Sequence, residues 1–169
     1  ASQAQAPAAA PRLAPAGQPF SAADSQAMLQ TLTRAPAQGF APNAFGDVQQ
    51  ISALMTSSDP AQAAEGRKRL RAAIIHYARA QHGLGLPTDQ FPKEWGIRPA
   101  RYDAETDLRT AQGANRVQDW LKSLPPPHRR YQALQQALVA YQQIAASGGW
   151  PSVPAHGTLR QGARGHVVE

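Results

Sequence analysis

Residues 120–151 read WLKSLPPPHRRYQALQQALVAYQQIAASGGWP, and this stretch decides the class of fold. The three consecutive prolines end any preceding helix, because proline lacks the backbone N–H that an interior helical position needs. Beyond them, apolar residues recur three or four positions apart from Tyr131 to Ala145, which is the spacing of one face of an α-helix. Gly148 is placed to end that helix in a left-handed cap. The stretch therefore predicts an amphipathic helix over residues 128–146.

The upstream sequence carries similar helix signals. Ser21 and Asp59 are typical capping residues, since a side-chain oxygen at the start of a helix accepts a hydrogen bond from a free N–H. Pro60 follows Asp59 and favours the first helical position, which predicts a long helix from there to about Gln81. Further helices are predicted around residues 45–55, from Asp103 to about Ala111, and from Asn115 through Leu121.

Residues 84–102 contain several prolines and glycines and are predicted to be irregular. The side chains expected to pin this segment to the core are Phe91, Trp95, Ile97 and Tyr102. No part of the sequence alternates between apolar and polar residues, so the predicted strand content is near zero. The predicted fold class is all-α, an irregular orthogonal helical bundle rather than a coiled coil, because no heptad pattern is sustained.

The length of 169 residues suits one domain of ordinary size. Residues 1–19 are mostly Ala, Pro and Gln and are predicted to be a disordered leader, because they hold too little apolar surface to offset the entropy of ordering. Residues 20–150 are predicted to form the helical domain, and residues 151–169 a Pro/Gly-rich tail. The leader is typical of an exported protein after signal removal, although a flexible cytoplasmic terminus would have a similar composition.

Composition limits the possible chemistry. The chain has no cysteine, which excludes disulfides, thiolate metal sites and cysteine catalysis within it. The formal net charge of +6 favours an anionic partner, and charge alone leaves nucleic acid, anionic lipid and cell-wall polymer open. No apolar run approaches the roughly 20 residues of a membrane span.

The sequence predicts no catalytic, metal-binding or cofactor-binding residue. His76 has Ala80, not a second ligand, four residues further on, so the pattern of a helical metal site is absent. The acidic residues Asp103, Glu105 and Asp107 occur where a helix begins, and stabilisation of the helix dipole explains them better than a catalytic acid pair does.

Six landmarks along the chain occur in an order that resembles one family. They are Gly39-Phe40-Ala-Pro42, Tyr77, Trp95, Leu124-Pro-Pro-Pro-His128, the helix from Tyr131 through Tyr141, and Gly148-Gly-Trp-Pro151. The order resembles the helical scaffold domain of the large periplasmic L,D-transpeptidases, enzymes that cross-link peptidoglycan. The last two landmarks are the specific ones, and residues 159–169 are similar to the opening of the small peptidoglycan-binding module of the family.

The resemblance implies a non-catalytic scaffold that holds a wall-binding module and a catalytic domain in position in the periplasm. The expected partners are peptidoglycan and the other domains of a parent enzyme that acts through a cysteine acyl-enzyme. Because the sequence stops inside the binding-module motif, we expect a fragment of that parent. The alternative is a free-standing basic helical adaptor for a periplasmic protein or an anionic wall polymer, and nucleic-acid binding is the least favoured hypothesis.

The candidate contact residues are basic or aromatic. Those predicted to contact a partner or the wall are Arg67, Lys68, Arg71, Trp95, Arg129, Arg130 and Trp150. For the basic run at residues 67–71, a solvated helix face remains the favoured interpretation, with only Leu70 facing the core. For the two tryptophans, a plug at the end of the bundle is favoured over a stacking surface, because both occur at junctions between elements.

Overall fold

The computed structural model describes residues 12–86, 88–150 and 161. Within these ranges the protein has six α-helices, two short 3-10 helices and no strand, so the all-α prediction is confirmed. The α-helices are α1 (Ala22–Thr33), α2 (Val48–Met55), α3 (Pro60–Gln81), α4 (Ala104–Gly113), α5 (Val117–Ser123) and α6 (Arg129–Ala146), and the 3-10 helices are η1 (Ala35–Gln38) and η2 (Thr88–Gln90). None of the helices in the described part of the chain is long and apolar enough to cross a bilayer.

Short polar side chains start the helices largely as predicted. The Ser21 hydroxyl accepts a hydrogen bond from the Asp24 N–H at 3.0 Å, and the Asp59 carboxylate accepts one from the Ala61 N–H at 2.9 Å. The prediction that Asn115 caps α5 is wrong. Asn115 has a φ of 54° and lies in a left-handed turn that ends α4, a conformation that asparagine tolerates better than most residues.

The core is built around α3. Its residues Leu70, Ile74 and Tyr77 have no solvent exposure and contact buried side chains from the helices around them. Those side chains include Met28 and Leu32 of α1, Ile51 of α2, Leu108 of α4, and Val117 and Leu121 of α5. Burial of such a continuous apolar cluster is the main stabilising term of the fold. The prediction that Leu70 alone of residues 67–71 faces the core is confirmed.

The segment 84–102 is irregular as predicted, but two of its predicted anchors are exposed. Trp95 is 53% exposed and Ile97 is 90% exposed, so neither side chain pins the segment. The Arg98 guanidinium holds the loop instead, by donating hydrogen bonds to the Pro92 carbonyl at 3.0 Å and to the Trp95 carbonyl. The Pro92 carbonyl also accepts from the Trp95 N–H at 3.1 Å, and the guanidinium, with its five N–H donors, can bond two carbonyls at once.

Tyr102 keeps its predicted anchoring role at the end of this segment. Its ring stacks on the ring of His82, with 3.6 Å between the centroids. Its hydroxyl oxygen is buried, and this burial raises the pKa of Tyr102 to about 12. The side chain therefore packs as a neutral phenol.

Residues 12–19, which the sequence places in the leader, lie against α4 in the structure. The Ala14 N–H donates to the Arg109 carbonyl at 3.0 Å, and the Arg109 side chain donates back to the Ala14 carbonyl at 2.8 Å. The Gln112 side-chain amide donates to the carbonyls of Gln18 and Pro19, each at 3.1 Å. These hydrogen bonds hold the segment that leads into α1 against the bundle.

Candidate interaction surface

Helix α6 is peripheral to the bundle and contains no buried residue. It packs on η1, where a Cβ at Gly39 would lie 3.7 Å from the Leu138 side chain. The Gln142 side-chain amide also donates to the Pro36 carbonyl at 3.3 Å. A helix with so regular an apolar stripe usually buries it against its own domain. Here only part of the stripe has a partner in the described residues.

The rest of the stripe forms an exposed apolar surface, which we call the α6 face. It consists of Leu134, Tyr141, Ile144 and Trp150, which are 69%, 57%, 37% and 63% exposed. The three helical residues lie on one side of α6, because steps of seven and three return to the same side of a helix. Trp150 follows the helix and lies beside Tyr141, with 5.5 Å between ring centroids. Contiguous exposed apolar residues of this kind commonly mark a protein contact.

A polar network connects α6 to the core through η1. The Tyr77 hydroxyl donates to the Gln38 side-chain oxygen at 2.9 Å and accepts from the Gln81 amide at 2.8 Å. The Tyr131 hydroxyl of α6 lies 3.5 Å from the same Gln38 oxygen. Burial raises the pKa of Tyr77 and of Tyr131, which keeps both as neutral hydrogen-bond donors. Nothing in the sequence distinguishes Gln38 and Gln81 from the other glutamines of the chain.

The basic side chains predicted as contacts on α3 differ in exposure and in ion pairing. Arg67 and Lys68 are exposed. Arg71 is only partly exposed, lies 2.6 Å from the Glu105 carboxylate and places its guanidinium 5.3 Å from the centre of the Phe20 ring. Arg71 therefore ties α3 to α4 and to the segment before α1, which leaves Arg67 and Lys68 as the residues of this set that are open to a partner.

The remaining predicted contact residues lie on two other parts of the surface. Trp95 belongs to the exposed loop between α3 and α4, and Trp150 belongs to the α6 face, so the prediction that both plug the bundle is wrong. Arg129 and Arg130 are exposed at the first turn of α6. At 1.5 Å per residue, Arg130 lies about 17 Å along the helix from Tyr141, whose ring is beside that of Trp150, so these arginines lie apart from the aromatic end of the α6 face.

Among the described residues, no group of three or more His, Asp or Glu side chains is arranged to hold a metal ion. The ring of His76, which the sequence pattern argued against as a metal ligand, packs edge-on against Phe45 with 5.2 Å between centroids. The arrangement suits docking of another protein surface.

One comparison with known proteins gives a match. The model of a family described as Scaffold domain matches residues 17–138, a range that begins before α1 and ends within α6. No curated protein and no solved structure matches the chain. The family match confirms the scaffold domain that the order of the landmarks predicted.

Proposed function

The chain belongs to the Scaffold domain family, and on that premise we propose that it is the non-catalytic helical scaffold of a peptidoglycan L,D-transpeptidase. In this role it positions a wall-binding module and a catalytic domain for cross-linking in the periplasm. The observation that carries the proposal is the α6 face, an exposed apolar surface that the rest of the described chain does not cover.

The position of the α6 face supports docking of a neighbouring domain. The face lies on the last helix of the described bundle, next in sequence to residues 151–169, of which residues 159–169 resemble the opening of a peptidoglycan-binding module. Tyr141 and Trp150 together supply the broad, rigid and partly polar surface that is enriched at protein interfaces. The Tyr131 hydroxyl of α6 lies 3.5 Å from the Gln38 oxygen, and this contact helps to orient the helix and any domain docked on it.

Replacing Leu134 and Tyr141 with serine is expected to lower cross-linking by the full-length gene product about tenfold, as loss of two central interface side chains typically does. The thermal stability of the scaffold should change little, because both side chains are exposed. Cross-linking is measured on isolated peptidoglycan by separation of muropeptides, and stability by thermal unfolding of the chain.

The matched control is Ile97→Ser, which removes an even more exposed apolar side chain from a different part of the surface. It should leave cross-linking unchanged. Equal activity of the Leu134/Tyr141 variant and the unmodified protein would contradict a positioning role for α6. Equal losses in this variant and in Ile97→Ser would show that removing any exposed apolar side chain lowers cross-linking.

The exposed basic residues favour a second candidate role, direct contact with the anionic wall. Arg67 and Lys68 on α3 and Trp95 on its loop all face solvent. We expect isolated sacculi to retain the purified chain at low salt, and we expect Arg67→Glu with Lys68→Glu to shorten that retention, because like charges repel the wall carboxylates.

Retention on sacculi, measured over a series of salt concentrations, distinguishes direct wall contact from a role limited to positioning other domains. Retention through moderate salt, lost in Trp95→Ala, would assign wall recognition to this domain itself. No retention at low salt would contradict wall contact and leave the positioning role as the function of the domain. Retention indifferent to all these substitutions would contradict contact through Arg67, Lys68 and Trp95.

A further inference from the structure

A second surface of the bundle is a cleft between α1 and α2. It has a volume of about 1070 Å³, at the upper end of the size of ligand sites in proteins. The loop of residues 41–47 forms one wall, and Ala35 and Pro36 of η1 also line it. None of the residues of the α6 face lines this cleft, so docking on α6 gives it no occupant.

The floor of the cleft is apolar and aliphatic. Leu29 and Val48 are half-buried and line it from α1 and α2, above the buried Leu32. Phe45 also lines the cleft, but it is 8% exposed and its ring packs edge-on against Phe40, at 4.9 Å between centroids, and against other core rings. A sugar ring is usually held by stacking on an open aromatic face, which this floor does not offer. Small aliphatic side chains fit it better.

The rim of the cleft is rich in neutral amides. Gln26 and Gln30 of α1 and Gln49 of α2 are exposed along it. Each side-chain amide carries donors and an acceptor, the same groups that a peptide bond carries, so an amide rim is complementary to an extended peptide backbone. The Ser52 hydroxyl adds a further donor on the α2 side.

Two charged side chains line the cleft, the Arg34 guanidinium and the Asp47 carboxylate. The Asp47 carboxylate is held by the N–H groups of Gln49 and Gln50, at 2.9 and 3.0 Å, as the cap of α2. Arg34, exposed at the end of α1, makes no ion pair among the residues that the structure describes. A guanidinium is complementary to a carboxylate and can bind it through two parallel hydrogen bonds.

We propose that the cleft between α1 and α2 binds an extended acidic oligopeptide. A carboxylate of the peptide pairs with Arg34, its backbone bonds the glutamine rim, and its small aliphatic side chains lie on Leu29 and Val48. This site adds a ligand-binding role that does not depend on the positioning of other domains, because it uses none of the α6 face.

The test uses the isotope-labelled chain and two acetylated tetrapeptides. One is Ala-Glu-Ala-Ala with a free terminal carboxylate, and the other is its neutral form, with glutamine in place of glutamate and an amidated end. The acidic peptide should give saturable amide shifts in residues 26–34 and 45–56, and Arg34→Glu should weaken its binding about tenfold or more. Arg101→Glu makes the same charge change at an exposed residue before α4, outside the cleft, and should leave the affinity within about twofold.

Four outcomes would overturn the proposal. They are equal binding of the neutral peptide, equal losses in Arg34→Glu and Arg101→Glu, the absence of shifts at millimolar peptide, and stronger shifts at the cleft with a disaccharide of N-acetylglucosamine. The last would assign the cleft to glycan. The spectrum of Arg34→Glu without peptide reports whether the variant is folded. Arg34→Gln, which keeps a polar side chain at this position, should also weaken binding of the acidic peptide.

Discussion

Replacing Gly66 with valine is expected to lower the free energy of unfolding by about 3 kcal/mol. Gly66 is buried in α3 where this helix crosses α2. A Cβ at this position would lie 2.6 Å from the Met55 backbone nitrogen and 3.0 Å from the Leu54 carbonyl carbon. Those atoms are backbone and cannot rotate away, so the two helices would have to separate and their buried contacts, including Ile51, would loosen. Urea unfolding followed by circular dichroism measures the change.

The control for this prediction is Gly96→Val. Nothing lies within 4 Å of the Cβ that a side chain would add at Gly96, and its φ is not positive. The stability of this variant should stay within about 0.5 kcal/mol of the unmodified protein. Similar losses in the two variants would show that β-branching, rather than the close approach of α2 and α3, accounts for the effect at Gly66.

The helices and their first residues were largely predictable from the sequence, because caps and prolines act locally. Ser21, Asp59 and Asp103 each place an oxygen against the free N–H groups of the turn that follows them, whatever the rest of the chain does. Asn115 was misassigned for an equally local reason, since asparagine suits both a helix cap and a left-handed turn.

The candidate surfaces were less predictable, because exposure depends on which elements meet. The apolar spacing of α6 predicted a helix correctly, but spacing does not tell whether an apolar side such as that of Leu134 finds a partner. Trp95 and Ile97 look like anchors by composition, whereas the loop is held through backbone carbonyls by Arg98. The cleft between α1 and α2 arises from two helices that meet only in the folded bundle, and no local pattern of residues predicts it.

Replacing Tyr77 with alanine is expected to have the largest effect on stability, a loss of about 3–5 kcal/mol. Tyr77 has no solvent exposure, and its ring packs edge-on against Phe40 and Phe45, so the truncation leaves a cavity at the centre of the core. It also removes the hydroxyl that joins Gln38 to Gln81. Such a loss is a large part of the stability of an ordinary domain.

Tyr77→Phe separates the cavity from the network, since it keeps the ring and removes only the hydroxyl. A loss of about 1 kcal/mol is expected, the usual net contribution of a hydrogen bond. Because Gln38 also faces Tyr131, the hydroxyl helps to hold α6, and amide hydrogen exchange in residues 129–146 should become about fivefold faster in this variant. Unchanged exchange in α6 alongside a lower unfolding free energy would mean that the network stabilises the core alone. The orientation of the α6 face would then have to come from the packing of Leu138 on η1.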